Sequence, residues 1–72
     1  MSLFNETGHA SQDDRNAEAE RLIEELVANL EPLTQVERSF VESMNQRTYE
    51  GNLHCSAKQL FWLRDLYEKY CL

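Results

Sequence analysis

The candidates for a metal site in this sequence are His9, His54, Cys55 and Cys71. A zinc site is normally built from pairs such as C-x-x-C or H-x-x-x-H, which bring two ligands onto one turn. No such pair occurs, and the adjacent His54 and Cys55 cannot easily both reach one ion. Two thiols and two surface imidazoles are the plainer reading, so neither a metal nor a cofactor is expected. Nucleophilic catalysis would want Cys55 or Ser56 beside His54 with an orienting acid. Cys55 instead fits the position of a hydrophobic staple and Ser56 that of a helix cap, which gives each a structural role. No glycine-rich loop is present to cradle phosphate. The acids are numerous but fall on faces that read as solvated. The chain therefore reads as a non-enzyme without a small-molecule substrate.

Interaction is the chemistry these residue types suit better. Residues 56–72 hold the only tryptophan, two of the three tyrosines and one of the three phenylalanines. Leu60, Leu63, Tyr67 and Tyr70 recur at helical spacing, while Phe61, Trp62 and Leu66 lie beside or beyond that face. The apolar surface is thus wider than one partner helix covers. Leu63, Leu66 and one face of Trp62 are expected to fill a core. The surplus, with basic residues between the rings, has the composition of a protein-binding surface. The residues expected to bind a partner are Phe61, Arg64, Tyr67, Lys69 and Tyr70, with Glu20, Glu24 and Glu25 as an acidic face. Stacking on nucleic-acid bases is a second use for the same rings with Arg64 and Lys69.

Size and charge narrow the choice further. Seventy-two residues make one small domain, too small for a deep enclosed pocket. Apolar content of 42% and charged content of 28% are those of an ordinary folded chain. The formal net charge of −6 is unevenly placed. Residues 1–33 carry eight acids against Arg15 and Arg21, whereas residues 34–72 balance five acids with Arg38, Arg47, Lys58, Arg64 and Lys69. An acidic chain is repelled by phosphate, so nucleic acid is the less favoured partner. The start, M-S-L-F-N-E-T-G-H, has no basic segment followed by an apolar run, and no stretch approaches the roughly 20 apolar residues of a membrane span. Cytoplasmic location, no membrane and reduced thiols are the expectations.

The elements that must position these residues are three helices. Residues 1–12, polar and aperiodic, read as a disordered arm with Leu3 and Phe4 as its apolar anchors. A first helix is predicted over 13–30. Its stripe of Ala19, Leu22, Ile23, Leu26, Val27 and Leu30 is ended by Pro32. That stripe is also long enough to pair with its own copy as a homodimer seam. A second helix over 35–50 begins with the capping box of Thr34 and Glu37, carries Val36, Phe40, Val41 and Met44 on its apolar face, and stops at Gly51. Leu53 is expected to tuck inward. The third helix, 57–71, opens with the capping box of Ser56 and Gln59. An all-α, compact three-helix bundle follows, with residues 13–72 as its domain.

Two runs carry a resemblance. L-T-Q-V-E-R-S-F-V-E-S-M (residues 33–44) and S-A-K-Q-L-F-W-L-R-D-L-Y-E-K-Y (residues 56–70) resemble a small helical module of bacteriophage and mobile-element proteins, of the form L-T-x-x-E-R-x-F-V … L-S-x-K-Q-x-x-W-L. Here His54 and Cys55 separate Leu53 from Ser56, where that form has a tight Leu-Ser pair. The shared positions are mostly caps and core, and the activities of such modules are largely unassigned. The resemblance implies a phage-type protein that binds and modulates a host machine, such as RNA polymerase or a defence nuclease. The alternatives are a nucleic-acid accessory protein of phage replication or transcription, using Arg38, Arg47, Lys58 and Arg64, and a structural homodimer.

Overall fold

A computed structural model describes residues 11–72 of the chain. Residues 1–10, and with them His9 and most of the expected arm, lie outside the described residues. Three helices are present, α1 (Gln12–Val27), α2 (Gln35–Glu50) and α3 (Ala57–Tyr70), as the caps and periodicity predict. The described residues contain no strand.

Each helix starts where a short hydroxyl side chain satisfies an otherwise unpaired amide. Ser11 accepts from the Asp14 amide at 3.1 Å, so α1 begins at Gln12, one residue earlier than expected. Thr34 accepts from the Glu37 amide at 3.2 Å while Glu37 accepts from the Thr34 amide at 2.9 Å, completing the predicted box. Ser56 and Gln59 form the same reciprocal pair at 3.1 and 3.0 Å.

Helix ends are less regular. Gly51 adopts φ 74°, the left-handed conformation that only glycine enters without steric cost. Its amide donates to Thr48 and the Asn52 amide to Arg47, both at 3.1 Å, which is the Schellman closure. In contrast, α1 stops at Val27, short of the expected Leu30. Asn29 accounts for this. Its amide donates to Leu26 at 2.9 Å, and its side-chain Nδ2 donates to the Glu25 carbonyl at 2.9 Å, so a local cap replaces the next helical turn. Pro32 therefore lies in a turn already begun. Arg38 holds that turn from the far side, its Nη2 donating to the carbonyls of Leu30 and Glu31 at 3.2 and 3.4 Å.

The core contains Ala19, Ile23 and Leu26 of α1, Val41 and Met44 of α2, and Leu60, Leu63 and Leu66 of α3, with Leu33, Leu53 and Cys55 from the connections. Contacts between α1 and α3 advance in the same direction, from Gln12 with Cys55 to Glu18 with Arg64 and Asn29 with Cys71. Those two helices are thus parallel, and α2 runs back between their ends. Helix α1 packs against both others, so the bundle is organised around it more than around the aromatic α3. One expected core residue is outside: Val36 is 69% exposed. It stands in the first turn of α2, where Leu33 from the preceding turn already takes the inward place.

Bringing α3 back beside α1 requires an extended connector, and its backbone is satisfied by polar side chains of α1. Asn16 Nδ2 donates to the Leu53 carbonyl at 2.8 Å, and Asn16 Oδ1 accepts from the Cys55 amide at 2.9 Å. The Cys55 carbonyl accepts from Gln12 Nε2 at 2.8 Å and from Arg15 Nε at 3.2 Å. Gln12 also donates to Asn16 Oδ1 at 2.9 Å, which fixes the orientation of the amide. Substituting Asn16→Ala leaves the Cys55 amide and Leu53 carbonyl unpaired beside the core, at a cost of about 1–3 kcal/mol. The urea midpoint should fall with an unchanged slope. Asn16→Asp, which loses the donor and sets a carboxylate against a carbonyl, should fall further.

Candidate functional site

Among the residues whose types could do covalent or metal chemistry, Cys55, Cys71 and Ser56 each have a structural place in the fold. The Cys55 side chain is fully buried, and burial pushes its thiol above the ordinary value. Cys71 closes α3, with its Sγ 3.9 Å from the Glu25 carbonyl oxygen and from Asn29 Nδ2, and burial raises its thiol too. The two thiols are free rather than joined. A raised thiol is mostly protonated at neutral pH and is a poor nucleophile. Ser56 spends its hydroxyl on the cap of α3. His54 is exposed between buried Leu53 and buried Cys55. Among the described residues no group of three or more His, Cys, Asp or Glu side chains converges as a metal site would require. No helix among them is long and apolar enough to cross a membrane.

The eight residues expected to bind a partner separate into three groups. Arg64, Lys69 and Tyr70 are engaged within the fold. Arg64 makes a two-pronged ion pair with Glu18, its Nε and Nη2 at 2.6 and 2.8 Å from the two carboxylate oxygens. Tyr70 donates its phenolic hydrogen to Glu37 Oε1 at 2.7 Å, and Lys69 Nζ lies 3.6 Å from Glu37 Oε2 and 5.1 Å from the Tyr70 ring centre. Glu37 therefore serves twice, capping α2 and tying it to the end of α3.

A second group borders two open grooves along α1. Glu20 and Glu24 line the groove between α1 and α2, of about 370 Å³, over a floor of Ile23 and Val27. Asn45, Thr48 and Tyr49 form its opposite wall. Glu24 and Glu25 also border a groove of about 440 Å³ on the other flank of α1, together with Tyr67, Leu22, Arg21 and Glu18. The three glutamates are exposed and Tyr67 is half-buried.

Phe61 makes up the third group. It is 64% exposed, with the Arg64 guanidinium 5.8 Å from its ring centre. Next to it in sequence, Trp62 stacks on Phe40 of α2 with ring centres 3.9 Å apart and an interplanar angle of 17°, yet stays 37% exposed. Val36, one helical turn before Phe40, lies open on the same helix. Sequence reasoning did not assign Val36 or Tyr49 to a surface site, although Tyr49 is 83% exposed. The one signal was Tyr49's place in the last turn of α2, past the end of the apolar stripe. Of the stripe expected as a homodimer seam, Ala19, Ile23 and Leu26 are buried in the bundle, while Leu22, Val27 and Leu30 are half-buried. Of the four cations expected to favour nucleic acid, Arg38 and Arg64 are engaged in contacts of the fold.

Both structural carboxylates titrate in a way that links the ties to pH. The hydrogen bonds from Arg64 hold Glu18 below its ordinary value of 4.5, and the Thr34 amide and Tyr70 hydroxyl do the same for Glu37. A carboxylate lowered on folding stabilises the fold above its ordinary pKa and loses that contribution as pH falls through the lowered value. Melting temperature should therefore drop as pH is taken below about 4.5, the ordinary carboxylate value. Glu18→Gln with Glu37→Gln should melt lower at pH 7 and show a shallower acid decline, read by circular dichroism. No family model matches this chain, and no curated protein or solved structure shows detectable similarity to it.

Proposed function

We propose that the chain is a non-catalytic binding protein whose partner is another protein, held by the exposed aromatic edge of α3 and attracted by the acidic face of α1. The observation that carries this reading is the set of large apolar side chains left outside a completed core. Phe61 and Val36 are well exposed, and Trp62 is half covered by Phe40. Rings of this kind, with an arginine beside them, are the usual anchors of interfaces. Free-standing they keep apolar area in water, which association would remove. Exposed Glu20, Glu24 and Glu25 would raise the encounter rate with a basic surface more than the final affinity.

The likeness to bacteriophage modules makes a host machine in the cytoplasm, such as RNA polymerase or a defence nuclease, the kind of partner proposed. Steric or electrostatic occupation of its surface is the mechanism, since an acidic helix competes for basic surfaces meant for nucleic acid. Direct binding of nucleic acid is the weaker reading, because Arg38 and Arg64 already serve the fold.

The test is recovery of partners from bacterial lysate by the tagged chain, with and without nuclease, beside Phe61→Ser and the double variant Val36→Ser/Phe61→Ser. These positions are exposed, so fold stability should change by no more than about 0.5 kcal/mol for each. The expected result is a protein recovered regardless of nuclease and reduced about tenfold or more by the double variant, the scale of an interface hot spot. Recovery that disappears with nuclease would replace this reading by nucleic-acid binding. Undiminished recovery by a folded double variant would remove the aromatic edge from the site.

A further inference from the structure

The groove between α1 and α2 has a composition that the aromatic edge does not explain. Its two rim carboxylates, Glu20 and Glu24, lie one turn apart on the same face of α1. Neither has a hydrogen bond or ion pair among the described residues. On the α3 side of α1, by contrast, Glu18 is answered by the forked donors of Arg64. The α2 side offers no such cation: its wall is the Asn45 amide, the Thr48 hydroxyl and the Tyr49 ring. Thr48 directs its hydroxyl to the Met44 carbonyl at 3.1 Å, which leaves Asn45 and Tyr49 as the groups available to an occupant.

We infer that this groove receives an arginine side chain from a basic segment of the protein partner. The inference rests on the proposed role of the acidic face and names what that face recognises. Each part of an arginine meets a matching wall. Its aliphatic stem suits half-buried Val27, with buried Ile23 closing the groove beneath. Its planar guanidinium can donate to both carboxylates and to the Asn45 amide oxygen, with a face left to stack on Tyr49. Tyr49, 83% exposed, is otherwise a large ring without a task at the end of α2. A lysine ammonium could also bridge the two carboxylates, but as a compact point charge it offers neither a planar fork nor a face to stack on Tyr49. A phosphate or carboxylate ligand is excluded by the sign of the rim. The occupant is thus a cation, and its preferred form is arginine.

The experiment is an amide and ring chemical-shift titration of the full chain with a short acetylated peptide carrying two arginines, its two-lysine counterpart serving as comparison. The expected result is a set of shifts centred on Glu20, Glu24, Asn45, Thr48 and Tyr49, with the arginine peptide binding at least about threefold more tightly, the scale of a modest cation–π preference. Tyr49→Ala should remove that preference, and Glu20→Gln/Glu24→Gln should abolish the shifts. All three side chains are exposed, so helical circular dichroism should be unchanged. Shifts spread equally over every acid of α1, or equal binding of both peptides, would reduce the effect to unspecific charge attraction and overturn the inference. Absence of shifts at millimolar peptide would overturn it as well. Partner recovery that depends on Phe61 while the peptide fails to bind would discard the groove and keep the proposed function. Specific arginine binding without a Phe61-dependent partner would do the reverse.

Discussion

The bundle depends on a backbone problem solved by one amide side chain. To lie parallel to α1, the third helix must be reached through an extended connector that passes beside the core. Water cannot reach all of its peptide groups there, and an unpaired group in that position is costly. Asn16 offers one donor and one acceptor at the spacing of a neighbouring strand, and the connector pairs with it between Leu53 and Cys55. Gln12 and Arg15 complete the seal on the Cys55 carbonyl. The burial of Leu53 and Cys55, and the direction in which α3 leaves, follow from that pairing.

Charge is used in two ways along α1 and α3. Where the two helices face each other, Glu18 and Arg64 meet as a forked pair; Glu37 gathers Thr34, Tyr70 and Lys69 where α2 meets α3. Elsewhere α1 carries its glutamates outward without partners. The same residue type therefore fastens the bundle where a donor of another helix reaches it, as Arg64 reaches Glu18, and stays exposed where none does.

Much of the fold was legible because it is written locally. Ser56 with Gln59 and Thr34 with Glu37 mark helix starts by chemistry confined to four residues, and Gly51 marks an end by conformation alone. The stripe of α1 and the leucines of α3 follow from period. The connector seal was not legible, since Asn16, Gln12 and Arg15 read as polar surface and their partners are about forty residues away. The end of α1 was misplaced because Pro32 was the stronger signal, whereas the Asn29 side chain acted first. The candidate site was legible in composition and not in arrangement. Arg64, Lys69 and Tyr70 looked like interface anchors because the side chains that engage them, Glu18 and Glu37, lie on other helices. Phe61 kept the exposure its position implies. Val36 is exposed in the first turn of α2, while Leu33 of the preceding turn is buried.

The parallel placement of α1 and α3 has a consequence in time. The turn between α1 and α2 closes over few residues, so that hairpin can form early at little entropic cost. The tie from Glu18 of α1 to Arg64 of α3 bridges 46 residues and cannot form until α3 has been made. A growing chain thus holds a two-helix unit with one flank of apolar α1 bare until α3 has been made. The topology favours a long-range closing step, and it makes the fourteen-residue α3 the piece that covers the bare flank of a sticky hairpin.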